Sequence, residues 1–387
     1  MVPIIATVPR VLQRPTASTD VCIDMGKEAE LVTDHDADLF IAALRLVAPG
    51  TPLREGIDRI LHAKMGALVV VGDGAAVQEL CSGGFPLDVR FTPQRLSELA
   101  KMDGAIILTP DASRIVRANV HLVPDSSIAT TETGTRHRTA ERVARQISVP
   151  VVTVSEEMSL VSIHVRAQNK TLEPIPRVLA RSDQALQILG RYRQRLDTAV
   201  SSLSALEVED LVTVRDVGEV LQRGEMVRRI ADEVAGYVIE LGSDGRLVQL
   251  QLEEMTAGVL EELRFVCKDY FIASSAFVLD RVMRSLQSLD DEEVIDLRTV
   301  VSVLQLPRDS EVDTSLSPKG HRLLAKIPRL TEELADRVVT HFGGLAKLLR
   351  ASNHDLVDIE GIGDVRARMI KDGLARLAEA SILERYS

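Results

Sequence analysis

The sequence predicts an α/β domain with a mixed central sheet, followed by an all-α middle domain and a small all-α C-terminal domain. Three observations carry that prediction. Short apolar runs, GALVVVGDG at Gly66–Gly74 and GAIILT from Gly104, alternate with helical patterns in the first half of the chain. Leu186, Leu189, Tyr192, Leu196, Val200, Leu203 and Leu206 then recur every three or four residues, the period of a helical seam rather than a strand. Beyond residue 317 the charge balance reverses, with 12 Lys+Arg against 10 Asp+Glu in a chain whose net charge is −11.

Residues 1–33, rich in Pro and Thr, read as an extension without regular structure. In the domain expected over 34–174, ADLFIAALRLVA and LREGIDRILHAKM predict helices, the second entered through Pro49, Gly50 and Pro52. GALVVVGDG predicts a buried strand, TPQRLSELAKM a helix, and GAIILT, SRIVRANVHLV, VPVVTVS and MSLVSIHVRA further strands. Over 175–317, VRRIADEVAGYVIEL, LQLEEMTAGVLEELRFV and FVLDRVMRSLQSL predict helices packed on one another. ELGSDGRLVQLQL, with its SDG turn and partial alternation, leaves a hairpin open as an alternative. A linker, LPRDSEVDTSLSPKG, leads into 318–387.

At 387 residues, 45% apolar and 27% charged, the chain has material for two or three cores. Cys22, Cys81 and Cys267 are odd in number, far apart and outside any CxxC pattern, which speaks against a disulfide framework and a zinc site and fits a reducing cytoplasm. The N-terminal apolar patches are broken by Pro3, Pro9, Arg10 and Pro15, and no run reaches membrane-spanning length. We therefore expect no signal peptide, no membrane anchor and a cytoplasmic location. The acidity speaks against coating nucleic acid through bulk charge, and the basic C-terminal segment is the candidate for any contact with DNA.

Three stretches carry candidate chemistry. In KMDGAIIL, Asp103 and Gly104 stand at the entrance to a buried strand, where the plain reading is an Asp-Gly turn. In GTRHRTAERVARQI, Ala140, Val143, Ala144 and Ile147 form a helical stripe, so a helix begins near Thr135, a residue type suited to N-capping. Gly134, Thr135, Arg136, His137 and Arg138 then fall where unpaired N–H groups and the positive end of the helix dipole favour an anion. The planar fork of arginine matches phosphate oxygens, and the plain alternative is a solvated helix face. In LVDIEGIGDVRARMI, Leu356 and Ile359 lead into Gly361, Ile362 and Gly363, and Ala367 and Ile370 resume a helical face. Two glycines around one apolar residue let backbone N–H groups approach a phosphate without an intervening Cβ.

This last stretch resembles the helix-hairpin-helix motif of DNA-repair and replication proteins. Upstream, AKIPRLTEELADRVVTHFGGLAKLLRAS resembles a degenerate first copy, with Ile327, Pro328, Arg329 and Leu330 in the hairpin position. Such contacts position a protein on a duplex without reading its sequence; a mere helix–helix turn is the plain alternative. KMDGA, GTRHRTAE some thirty residues later, a helical middle and a terminal helix-hairpin-helix pair together resemble the DNA integrity scanning diadenylate cyclases, over nearly the whole chain from residue 34.

That resemblance implies condensation of two ATP molecules into cyclic di-AMP with release of two pyrophosphates. It implies that Asp103 activates the ribose 3′-hydroxyl, Gly104 lies close to the nucleotide, Leu122 contacts the adenosine, and Gly134 through Arg138 cradle the phosphates. It further implies a divalent cation, Mg2+ or Mn2+, with Asp103 as a candidate ligand, octameric assembly, and suppression of synthesis by branched or recombination-type DNA as part of a response to DNA damage and its repair.

The residues suit that chemistry. The attacking hydroxyl must lose a proton while charge builds on the α-phosphate, so a carboxylate and cationic donors are both required. Asp103 supplies the first; Arg136 and Arg138 supply the second, with His137 donating to the phosphates. With 3% aromatics and no Trp, adenine is expected in an aliphatic slot. The product has two equivalent phosphodiester links while each chain has one DGA and one RHR, so two chains must face each other across an isologous two-fold. Two other classes compete. A DNA-binding scaffold that senses a nucleotide without turnover has no need of Asp103, and a repair nuclease would gather several carboxylates around metals, which the sequence does not do near either motif.

Overall fold

The computed structural model describes residues 37–158, 160–271, 276–306 and 311–386; the expected N-terminal extension lies outside them. The chain divides into two units, one comprising residues up to Val47 together with Pro52–Leu172, the other Ala48–Thr51 together with everything from Glu173 onward.

In the first unit, helix α1 occupies 37–46, and α2 (Pro52–His62) precedes β1 (Ala67–Val71). There follow α3 (Ala75–Leu80), β2 (Cys81–Ser82), β3 (Phe85–Arg90), α4 (Pro93–Leu99), β4 (Ala105–Leu108), β5 (Arg114–Leu122), α5 (Thr135–Ile147), β6 (Val151–Val154), β7 (Val161–Val165) and β8 (Gln168–Thr171). The sheet runs β2-β5-β4-β1-β6-β7-β8, with β3 also on β5. Among the described strands only β1 and β4 pair in parallel, so the sheet is mixed, as expected.

Strands β1, β4, β6 and β7 are buried at every position, which explains their continuous apolar runs and requires cover on both faces. On one face Leu68, Val70, Ile107 and Val120 pack with Val77 and Leu80 of α3 and Ala140, Val143 and Ala144 of α5. Alternation along the strands sends Val69, Val71, Ile106 and Leu108 to the other face. Helices α2 and α4 pack on each other so closely that a Cβ on Gly56 would lie 2.7 Å from Leu96 Cδ2. Ile57 and Ile60 are fully buried, each contributing about 1.5–3 kcal/mol. Polar or very short strands β2, β3 and β8 gave no apolar run to read.

In the second unit, α6 (Ile175–Glu209) is about 52 Å long at 1.5 Å per residue. It pairs with α7 (Val214–Leu241), which starts in a Thr213–Asp216 capping box. Leu186, Leu189, Leu196 and Leu203 of the expected seam are buried, and Tyr192, Val200 and Leu206 pack at its margin. No hairpin forms at 240–252. Gly242–Gly245 is a 3-10 turn running into α8 (Arg246–Thr256), where Val248 and Leu252, one helical turn apart, pack on the same core. Helices α9 (Val259–Tyr270), α10 (Ala276–Gln287), α11 (Asp291–Ile295) and α12 (Leu297–Ser302) complete this layer.

The described part of the expected linker is pinned, not free. Leu316 N–H donates to Val212 O at 2.8 Å, and Val214 and Arg215 N–H donate to Thr314 and Val312 carbonyls at 3.0 and 2.8 Å.

Helices α13 (His321–Ala325), α14 (Glu332–Phe342), α15 (Leu345–Arg350), α16 (Asn353–Val357) and α17 (Asp364–Tyr386) follow. Their turns repeat. Ile327 N–H to Leu324 O and Leu330 N–H to Ile327 O, 3.0 and 3.3 Å, recur as Ile359 to Leu356 and Ile362 to Ile359, 3.3 and 3.0 Å. Ala335 N–H to Thr331 O, 3.0 Å, recurs as Ala367 to Gly363, 2.9 Å. Arg329 (φ +65) occupies the left-handed position held by Gly361 (φ +92) in the second copy, a conformation that costs a non-glycine residue about 1–2 kcal/mol.

Candidate active site

The loop from β5 to α5 is fastened to α5 by that helix's own side chains. Gln146 accepts from Asp125 N–H at 2.9 Å, Arg142 donates to Ile128 O at 3.0 Å, and Arg145 donates to Ala129 O at 2.8 Å. Glu141, 3% exposed, accepts the Thr130 hydroxyl, Thr131 N–H at 3.2 Å and Arg145 at 2.6 Å. Burial works against its charge, but these donors prevail and hold the carboxyl below its ordinary range. The loop is thereby delivered to the start of α5 in one conformation. Gly134, rather than Thr135, is the N-cap, and no side chain caps this end. Thr135 is the first helical residue, so the opening N–H groups of α5 have no intrahelical acceptor.

Arg136 leaves this first turn and lies against Gly66, where a Cβ would stand 2.0 Å from Nη1. Its Nη2 donates to Asp103 Oδ1 at 3.2 Å. The pairing follows from the topology: β1 and β4 are parallel neighbours, and α5 packs beside β1, so Gly66, the DGA turn before β4 and the RHR turn meet. The Asp103 side chain is 97% exposed, and an ion pair so open contributes little to stability. Its charge is available to a ligand.

Gly104 has a structural reason of its own, because a Cβ there would lie 2.6 Å from the main chain of Asn119 on β5. Leu122 is 5% exposed, its side chain packed in the core and so not presented to a ligand, and it pairs with Cys81 in the β2–β5 ladder. Arg138 is exposed and His137 half-buried. His137 Nδ1 lies 3.1 Å from Thr153 Oγ1 on β6, and Thr153 Oγ1 lies 3.5 Å from Nε2 of His164 on β7. Burial, then the neighbouring His137, lowers the His164 pKa to about 4 against the pull of Glu141. His164 is therefore neutral at pH 7.

Among the described residues no three His, Cys, Asp or Glu side chains gather into a metal cage. A lone exposed carboxylate still suits Mg2+, which keeps waters and takes its other ligands from substrate phosphates. Asp103 fits that partial role.

The residues that sequence reasoning missed are Gly66, Glu141, Thr153 and His164. Glu141 carried a signal, an acid beside the apolar stripe of α5 with Arg145 one turn on. His164 carried another, a histidine in the otherwise buried run VSIHV. Gly66 and Thr153 gave none.

At the C-terminus, Gly361 takes its positive φ, and Arg366 and Arg337 donate to the Gly361 and Glu360 carbonyls at 2.7 and 3.1 Å. Ile362 is 3% exposed and belongs to the core, so its side chain is unavailable to DNA. Nothing lies within 4 Å of a Cβ built on Gly363. No contact among the described residues demands glycine there.

Comparison with known proteins agrees with this anatomy. Residues 54–169 match the family model "DisA bacterial checkpoint controller nucleotide-binding", and residues 172–313 match "DisA bacterial checkpoint controller linker region". The chain is 52% identical over 351 residues to the DNA integrity scanning protein DisA of Frankia casuarinae, covering 90% of this chain and 98% of that one. It is 53% identical over 345 residues to that of Kineococcus radiotolerans, covering 89% and 96%. A solved DacA of Staphylococcus aureus is 21% identical, covers 38% of this chain and 88% of its own, and has a TM-score of 0.26, too low to bear on the fold. With relatives above half identity along nearly their whole length, and a nucleotide-binding region that contains both DGA and RHR, the chain belongs to the DisA family of bacterial checkpoint controllers.

Proposed function

We propose that this protein is a diadenylate cyclase that condenses two ATP molecules into cyclic di-AMP and two pyrophosphates. The observation that carries this reading is the 3.2 Å contact between Asp103 and Arg136, which joins a carboxylate to a phosphate-type donor at the uncapped start of α5. Nucleotidyl transfer needs that pair. The 3′-hydroxyl oxygen of one ATP bonds to the α-phosphorus of the other, its proton passes toward Asp103, and the P–O bond to pyrophosphate breaks; the same step in the opposite sense closes the ring. Phosphate oxygens compete for the Arg136 guanidinium, which frees the Asp103 carboxylate for the hydroxyl. Arg138 holds the triphosphate, and His137 donates to the phosphate oxygens as charge builds in the transition state. A bound Mg2+ or Mn2+ would supply neutralisation of triphosphate charge, with Asp103 as its protein ligand.

Each chain contributes half of this site, so two copies face each other through their first units, and an octamer is the assembly we favour. Incubating the protein with ATP and Mg2+ or Mn2+ and separating the products chromatographically tests the reading. Cyclic di-AMP is expected; ATP bound but unchanged would favour the sensing scaffold, and cleaved DNA the nuclease.

The C-terminal hairpins bind branched DNA and lower synthesis. What supports this is the duplicated turn and the open space around Gly363, which suits close approach of a phosphate backbone. Gly363→Val should abolish inhibition by junction DNA while basal synthesis stays, and equal inhibition of both proteins would remove the hairpins from the mechanism.

A further inference from the structure

Thr153 and His164 are 0% and 1% exposed on adjacent antiparallel strands, in registers filled otherwise by valine, isoleucine and serine. Buried polar groups are kept where they are bonded, and these two lead to His137. The protons of these groups set the direction of the hydrogen-bond chain. Neutral His164 carries one, and its Nδ1 is buried without a hydrogen-bond partner among the described residues. A buried orphan N–H is rarer than an under-satisfied acceptor, so the proton sits on Nε2 and is donated to Thr153 Oγ1.

Thr153 has one proton of its own. Its acceptors are His137 Nδ1 at 3.1 Å and Ser162 O at 3.4 Å, and the shorter contact takes it. With Nδ1 an acceptor, the ring N–H is on Nε2. His137 Cδ2, bonded to that nitrogen, lies 3.6 Å from a Cβ built on Gly134, so the Nε2 edge runs along the N-cap of α5.

We propose that Thr153 and His164 are positioning residues that fix His137 as its Nε2–H tautomer and hold that donor toward the phosphates at the start of α5. A histidine free to take either tautomer would present a lone pair to an anion part of the time. The relay removes that state before substrate arrives, which is preorganisation of a transition-state donor. The kinetic consequence rests on the cyclase reading above, whereas the tautomer does not.

The test uses the full chain labelled with 15N-histidine. Magic-angle-spinning spectra report the His137 ring nitrogens, assigned by their loss in His137→Gln. Wild type and Thr153→Ser should show a single form with Nδ1 unprotonated, and Thr153→Val a mixture of tautomers. In parallel, Thr153→Val should lower kcat roughly 10- to 100-fold with little change in KM for ATP, and Thr153→Ser should restore it. Should Thr153→Val fail to fold, His164→Leu removes the donor behind Thr153 and must also yield a tautomer mixture. An unchanged tautomer in Thr153→Val or His164→Leu, or a serine variant as impaired as the valine one, would overturn the proposal. Failure of the wild type to make cyclic di-AMP would overturn the cyclase reading, while the spectra still decide the positioning role.

Discussion

Asp103–Arg136 in the first unit and Glu207–Arg322 in the second are both carboxylate–guanidinium pairs distant in sequence, yet their surroundings differ at every point. Arg136 makes one bond of 3.2 Å to a carboxylate that is 97% exposed. Arg322 is 0% exposed, and its donors reach Glu207 with both Nε and Nη2, Glu262 at 2.6 Å and Ser204 Oγ at 2.8 Å. Tyr270 adds a bond to Glu207 at 2.7 Å, and Asp269 accepts the Gly320, His321 and Arg322 N–H groups at the start of α13, at 2.9, 2.7 and 3.0 Å.

Arg322 Nε, Nη1 and Nη2 each find an acceptor inside the chain, as burial requires. The first cluster keeps unused valence on the surface. Charge types alone therefore do not separate architecture from function here; satisfaction does. The buried cluster ties α13, the first helix of the hairpin region, to α6 and α9. It explains why the C-terminal helices form one unit with the middle helices.

The comparison can be broken first at Asp103. Asp103→Asn should reduce cyclic di-AMP synthesis about 10²–10⁴-fold, the usual worth of a positioned base, with no change in melting temperature. Product formation and a thermal melt on the same sample check it. A large loss of stability would mean that the exposed pair is structural after all.

Arg322→Met should do the reverse. Removing one partner leaves Glu207 buried and uncompensated, a loss of about 3–5 kcal/mol of stability. Denaturant titration measures it. The double variant Glu207→Leu with Arg322→Met should recover part of that loss, since no charge is stranded at position 207, while Glu262 and the Tyr270 hydroxyl lose their partners.

Acid sharpens the contrast in a third way. His164 is held at about 4, below its unfolded value of 6.5, so its contribution is fully present above 6.5 and is lost as pH falls toward 4. From pH 7 to 5 the first unit should lose about 2 kcal/mol on this account. His164→Gln should flatten that part of the stability–pH curve, and an identical curve in both proteins would contradict it.

The smallest effect is expected at Gly66. An alanine Cβ would meet only the end of the Arg136 side chain, at 2.0 Å from Nη1, and a flexible guanidinium can yield. Gly66→Ala should fold normally, lower turnover several-fold and raise KM for ATP, because the displaced donor serves ground and transition states alike. Steady-state kinetics read both constants.

Much of this was legible in the chain itself. The buried strands VVV, IIL and VVTV, the seam from Leu186 to Leu206 and the repeated turns at Ile327 and Ile359 rest on periodicity and turn chemistry, which act over a few residues. DGA and RHR stood out for the same local reason. The SDG segment stayed open between helix and hairpin, because three turn-forming residues look alike whether they join two strands or two helices, and only the packing of Val248 and Leu252 decides.

What tertiary structure alone decided is which distant residues meet. Parallel pairing of β1 with β4 brought Gly66 and Asp103 to Arg136, adjacency of β6 and β7 placed His164 behind Thr153, and the fold of the second unit buried Arg322 against Glu207. Such meetings are set by burial and strand order across the whole unit. A local pattern of residue types cannot record them, because the same serine, threonine or histidine in an apolar strand is a burden or a relay according to what the next strand presents.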